Sequence, residues 1–355
     1  MSDRRVPAET SRLGLTAVGN PLSVDASADT FGPASHAVPR WSETSWFGTW
    51  SPNGEVGIFL HIGRMPGDLD LWWAQLHTYL PDGMLAIDRT WGRSTIDHGV
   101  DAGNLHLRVQ EPLRHWSLTL DGAGELVSTH QVMRGLVGAG PQVPVRWDID
   151  AVAAGPAWDL RPRGAREMPR WAGDGHTQQT FLTSGEIVVG GTAYEVNGVG
   201  YNDHSRGVRD LSHFGADQWM IGILPGATFH TIDIWGPDGA PNLTVGNLFE
   251  DDGVVHDIHV ASHGVYAPCA PCEAHDVTIE RTDGGPPYVI RMEVLHTTAI
   301  SVTQRNENLN GTGWDLPDDT LLFTESAVRL TAASGEIGYG HLERAARRAQ
   351  HTVPE

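Results

Sequence analysis

Apolar and polar residues alternate at period two through most of the chain, and Gly, Asp and Pro interrupt the alternation at short intervals. No other feature constrains the fold as much. Side chains of a strand point to opposite faces in turn, so a chain written this way builds sheets that turn one face to a core. "NLHLRVQEPLRHWSLTLDGAGELVSTHQV" alternates around a "DGAG" hairpin, and "LDLWWAQLHTYLPDGMLAID" reads as two strands about a "PDG" turn. "EIVVGGTAYEVNG" reads as a hairpin closed by Gly-Gly, and strands continue through "WMIGILP", "TFHTIDIWG", "LTVGNLFEDDGVVHDIHV", "DVTIERTDGGPPYVIRMEVL" and "TAISVTQRN". Stripes at the helical period are scarce, and only the tail "HLERAARRAQ" reads as a helix.

The 355 residues exceed one ordinary compact core, which points to two domains. Residues 1–40, rich in Ala, Ser, Pro and Asp, read as an extended or poorly ordered arm. Residues 152–175, "VAAGPAWDLRPRGAREMPRWAGDG", break the strand rhythm and read as the linker. The expectation is therefore an all-β chain: an arm at 1–40, one antiparallel barrel or sandwich at 41–170, a second at 171–355, and a short C-terminal helix. The 13 Trp residues fill cores or line a barrel interior that holds an apolar ligand.

Composition excludes several functions. All 24 basic residues are Arg; with no Lys there is no Schiff-base, pyridoxal-phosphate or P-loop lysine. A net charge of −20 repels phosphate backbones and anionic membrane surfaces, so neither nucleic acid nor a membrane is expected as partner. No apolar run is long enough to span a bilayer, and the N-terminal stretch lacks the apolar segment of a secretory signal, so a cytoplasmic location is expected. Cys269 and Cys272 in "APCAPCEA" are half of a zinc motif, and incidental thiols or a local disulfide fit as well. On a strand His256 and His259 of "HDIHVASH" face opposite sides, and with His263 they do not make a chelating set; no metal or other cofactor is expected. No dinucleotide fingerprint in a βαβ setting and no nucleophile elbow occurs.

Polar and titratable residues concentrate in "GVGYNDHSRGVRD", residues 198–210. Asp203 and His204 are adjacent, so on a strand they face opposite sides and need a bend to act together. The stretch reads equally as a turn-capping loop and as a functional site. In "TFHTIDIWG", Phe229, Thr231, Asp233 and Trp235 share one face, while His230, Ile232 and Ile234 share the other. If the Asp233 face is interior, burial turns the carboxyl into a proton donor near neutrality. If the two Ile mark the core, Asp233 is exposed.

The string "GVGYNDHSRG" resembles the G-x-G-x-x-D-H-S/N-W-G signature of the carotenoid 1,2-hydratase (hydroxyneurosporene synthase-like) superfamily, to whose structural group kievitone hydratase-like proteins and some Diels–Alderases belong. "SETSWFGTW", "HTQQTFLTSGEIVVGGTAYEVNG" and the closing "GEIGYGHLER" extend the resemblance over most of residues 41–345. It implies two lipocalin-like β-barrels, a catalytic His at His204 and a catalytic Asp at Asp233. The aromatic residues expected to steady a carbocation are replaced by Arg206 and Thr231, and Arg206 suits an anionic or carbonyl-bearing substrate.

The resemblance implies a cofactor-independent hydratase, dehydratase, cyclase or isomerase acting on a hydrophobic terpenoid, steroid or polyketide-like molecule. In that scheme Asp233 is the general acid, and His204, oriented by Asp203, is the base. Arg206 binds a polar handle, and Tyr201, Gln178, Thr231 and Trp235 shape the pocket. The alternative is a non-catalytic carrier of a hydrophobic ligand, in which Arg206, Arg209 and Asp210 tie the barrels together. The two readings separate on whether Asp203, His204 and Asp233 converge on one apolar cavity. The oligomeric state is open, a homodimer included.

Overall fold

A computed structural model describes residues 24–160, 173–250, 254–262 and 274–351. The chain is all-β, with sixteen strands forming two closed antiparallel barrels. The first barrel comprises β1 (Trp41–Trp50), β2 (Gly57–Met65), β3 (Asp68–Leu80), β4 (Met84–Arg93), β5 (His115–Ser128), β6 (Gln142–Ala153), β7 (Gly175–Val189) and β8 (Gly198–Val208). Each strand pairs with the next in sequence, and β8 returns to β1, so the sheet closes as an up-and-down barrel. The second barrel repeats the plan with β9 (Ala216–Leu224), β10 (Ala227–Trp235), β11 (Pro241–Glu250), β12 (Val255–Ser262), β13 (His275–Arg281), β14 (Tyr288–Val302), β15 (Leu321–Ala332) and β16 (Ile337–Arg347). Strand β16 pairs with β9 to close it.

Local sequence explains the register. The Gly-Gly turn after β7 uses positive φ at both residues, 59° at Gly190 and 90° at Gly191, which a side chain would oppose. At the start of β8 a Cβ on Gly198 would lie 1.9 Å from the Trp50 carbonyl oxygen, so only Gly lets β8 close against β1.

Three apolar layers result. One fills the first barrel around Phe47, Ile58, Leu60, Trp72, Trp116 and Phe181. One fills the second around Met220, Phe229, Leu248, Ile279 and Leu330. The third lies between the barrels and joins Trp46, Phe59, Tyr79 and Tyr201 to Trp219, Ile221, Ile232, Ile234 and Ile300. Strands facing that seam are buried on both sides: all of β9 and nearly all of β1 and β10.

Three expectations differ from the structure. Strands β7 and β8, assigned to the second domain, complete the first barrel, and residues 209–215 join the two bodies. The Pro- and Gly-rich stretch 152–175 connects β6 to β7 within one barrel, which is why it interrupts strands without separating domains. The expected C-terminal helix is strand β16 up to Arg347, because ladders with β9 and β15 override local helix propensity; only Arg348–Gln350 forms a 3-10 turn.

The described part of the arm is not loose. Ala26–Asp29 form a 3-10 turn capped by Asp25, and Phe31 is buried in the first barrel's core. The Asp29 carboxylate accepts from Trp116 Nε1 at 2.9 Å and Leu113 N at 2.6 Å. Residues 1–23, Cys269, Cys272 and His263 lie outside the described residues. Among the described residues no helix is long and apolar enough to cross a membrane.

Candidate active site

A cavity of about 120 Å³ opens in the seam between the barrels. Its apolar wall comes from Trp46 on β1, Trp219 on β9, Ile232 and Ile234 on β10, and Ile300 and Val302 on β14. Its titratable wall comes from His61, His176, Asp203 and Arg209 on the first-barrel side and Asp217, Glu325 and Glu343 on the second. A polar groove of about 820 Å³ lies outside and shares Arg209, Leu211 and Asn306 with the chamber, so these residues form its neck.

The first-barrel group centres on Asp203. Its carboxylate accepts from Gln178 Nε2 at 2.8 Å and pairs closely with His176 Nε2. Gln178 in turn accepts from the Tyr201 hydroxyl at 3.0 Å, and that hydroxyl also meets His230 Nδ1. Burial alone would raise the Asp203 pKa; the His176 and Gln178 hydrogen bonds and the charges of His176 and Arg209 outweigh it, and the carboxylate is held below its usual range. Burial drives His230, stacked on Trp158 at 3.8 Å, far toward the neutral form.

The second-barrel group behaves oppositely. Asp217 on β9, Glu325 on β15 and Glu343 on β16 are side-chain neighbours, with Glu343 hydrogen-bonded to both other carboxyls and directly opposite Glu325 in the ladder. Burial, compounded by their like charges, raises all three, Glu325 to about 8 and Asp217 and Glu343 well above their usual values. His341, which meets Glu325 Oε2 at 2.8 Å, is driven neutral by burial. One chamber thus holds carboxyls that keep protons at neutrality and a carboxylate that does not, the arrangement by which a site separates acid from base.

The residues expected from sequence divide among three places. Asp203 faces the chamber, with Gln178 and Tyr201 in its hydrogen-bond chain. His204 points the other way, into the first barrel, where its ring stacks on Phe31 at 4.7 Å and its Nε2 meets Glu43 Oε1 at 3.2 Å. Arg206 follows it inward and donates to the backbone carbonyls of Thr30, at 3.2 Å, and Ser27, fastening the arm and not a ligand. Thr231 and Asp233 share the face of Phe229, which packs in the second barrel's core; Asp233 Oδ1 accepts from Thr244 Oγ1 at 2.8 Å. Trp235, beyond an irregularity at the end of β10, does not line the chamber.

The expected meeting of His204 and Asp233 therefore fails. The cause is the strict alternation of β8 and β10: no bend rescues either side chain, and the seam receives Asp203 from one strand and Ile232 and Ile234 from the other. Sequence reasoning missed His61, His176, Asp217, Glu325 and Glu343, and gave Arg209 only a role in tying the barrels together. For Asp217 a signal existed: it shares period two with Trp219, Ile221 and Ile223, an acid on an otherwise apolar face. Elsewhere His256 pairs with Glu250 at 2.9 Å and Asp283 at 3.0 Å; among the described residues no group of three or more His, Cys, Asp or Glu side chains is placed to hold a metal ion.

The family described as Domain of unknown function (DUF7064) matches residues 25–348. No curated protein matches the chain. Among solved structures, a Nitrosomonas europaea protein described as an AttH superposes with a TM-score of 0.58 at 14% identity, covering 88% of this chain and 97% of that one. Kievitone hydratase from Nectria haematococca gives 0.51 at 12% identity, covering 90% and 96%. CghA gives 0.51 at 10% identity, covering 95% and 98%. The two-barrel fold expected from the hydratase-superfamily resemblance is the fold these structures share with this chain.

Proposed function

We propose, for a chain that belongs to the DUF7064 family and closes a titratable chamber between two barrels, that it is a cofactor-independent acid–base enzyme of the hydro-lyase or isomerase type acting on a hydrophobic small molecule. The observation that carries this reading is the opposition of raised and depressed carboxyl pKa values across one apolar chamber. The fold likeness to a protein named as a hydratase adds support at the level of architecture only.

In a dehydration, the protonated Glu343 carboxyl gives its proton to the departing hydroxyl, which leaves as water. The Asp203–His176 pair takes a proton from the adjacent carbon, and the C–H electrons become the new double bond. Hydration runs the same steps backward: the protonated Asp203–His176 pair gives its proton to the alkene carbon, and the Glu343 carboxylate takes a proton from the attacking water. Burial, with the charge and hydrogen bond of Glu325 beside it, keeps the Glu343 carboxyl protonated between turnovers. Apolar walls of Trp46, Trp219, Ile232 and Ile234 hold the reacting carbons and limit bulk water. An apolar cavity of roughly 150 Å³ accepts one benzene ring, so a chamber of about 120 Å³ takes no more than a single ring or isoprenoid unit.

The test is incubation of the protein with panels of hydrophobic alkenes and alcohols in D2O. Turnover that places deuterium on carbon, and that Glu343→Gln and Asp203→Asn each abolish without loss of ligand binding, supports the assignment. Binding of the same ligands with neither deuterium incorporation nor interconversion of alcohol and alkene in any of them returns the chamber to a carrier's role.

A further inference from the structure

We infer that the ligand of this chamber is a hydrophobic acid, with an apolar body of one ring or isoprenoid unit inside and a carboxylate at the neck that accepts from Arg209. This names the substrate class of the site proposed above and rests on that reading.

Three donors on the chamber wall have nothing to donate to among the described residues. Trp46 Nε1, Trp219 Nε1 and Arg209 Nε are buried, and all three belong to residues lining the chamber; none has an acceptor among the described residues. Indole and guanidinium N–H groups cannot accept, so whatever completes them supplies acceptor oxygens. A purely hydrocarbon ligand would leave all three unmatched.

Charge narrows the choice. Of the four arginines along the outer groove, Arg40 pairs with Asp210 at 3.2 Å and Arg64 with Glu43 at 2.7 Å, while Arg305 stands in the outer groove only. Arg209 alone reaches the chamber, and its guanidinium holds only the neutral Ser205 hydroxyl, at 2.7 Å, with no carboxylate in ion-pairing reach among the described residues. Two acids act on it through space: Asp203, whose carboxylate is engaged by His176 and Gln178, and Glu343, which burial keeps protonated. A planar carboxylate matches the guanidinium fork in shape and charge, as a hydroxyl does not. Arg206, the arginine singled out from sequence for this task, is committed to the arm.

The experiment compares cyclohexanecarboxylate with cyclohexylmethanol, one ring carrying either a carboxylate or a hydroxyl, by isothermal titration on the full chain at neutral pH. The wild type is expected to bind the acid at least tenfold more tightly. Arg209→Met should reduce acid affinity to that of the alcohol and leave the alcohol unchanged, and Arg209→Lys should keep a weakened preference. Ile232→Trp, which fills the chamber, should block both. Equal affinity of the wild type for the two probes, with both blocked by Ile232→Trp, overturns the carboxylate assignment and spares the chamber. No binding of either, or binding that survives Ile232→Trp, overturns the assignment together with the chamber as the ligand site. The wild-type preference decides the matter even if Arg209→Met fails to fold.

Discussion

Asp203 and His204 are neighbours in the chain and belong to different sites: Asp203 turns into the seam between the barrels, while His204 stacks on Phe31 inside the first. One polar motif thus serves two tasks on the two faces of β8. Its odd residues equip the chamber, and its even residues, His204 and Arg206, fasten the arm into the barrel.

His204→Ala should therefore lower stability and leave chamber binding within about twofold. It removes the stack on Phe31 and one of the two partners of the buried Glu43 carboxylate, leaving Arg64. Phe31→Ala should cost about 3–5 kcal/mol, as truncation of a buried Phe does. Urea midpoints and probe titrations on the same samples separate the two effects.

Asp233→Asn should leave chamber binding and turnover unchanged, because the side chain shares the inward face of Phe229 in the second barrel. Titration of the variant with the ring probes checks this. Loss of binding or turnover comparable to that of Glu343→Gln would restore Asp233 as the acid.

Tyr201→Phe should destabilise the protein by about 1–3 kcal/mol, because its hydroxyl joins two buried groups, Gln178 Oε1 and His230 Nδ1, which lose a hydrogen-bond partner. Thermal or urea unfolding measures the loss.

Stability should fall as pH rises from about 6.5 to about 8. Glu325 is raised to about 8, with Glu343 and Asp217 raised alongside it, so in that window the native state holds protons that the unfolded chain has released. Asp203 acts in the opposite sense: its depressed pKa adds stability above its unfolded value, lost as pH falls through the folded one. Below about 6.5 the buried His61, His77, His230 and His341, whose pKa values burial lowers, act in the opposite sense; urea midpoints at pH 6.5 and 8 should therefore decline in order, and Glu325→Gln should flatten the decline.

Period-two alternation made the all-β architecture legible, and the resemblance carried by "GVGYNDHSRG" pointed to the paired barrels. The site was legible only in part. Alternation separates inside from outside when one face meets water, but β10 is buried on both faces, so Ile232 and Asp233 are equally enclosed and parity alone could not say which meets the chamber. Glu325 and Glu343 meet because β15 lies beside β16, a pairing that no local pattern encodes. The seven-residue join at 209–215 was hidden because it is shorter and less disruptive than the loop before β7.

The central claim is that a protonated acid and an ionised carboxylate face each other across the chamber. Carbon-13 NMR of side-chain carboxyls, assigned through Glu343→Gln and Asp203→Asn, measures both directly. The account predicts that at pH 7 the Glu343 resonance is that of a protonated acid and the Asp203 resonance that of a carboxylate. A Glu343 carboxyl that titrates near 4.3, as in an unperturbed peptide, would contradict it.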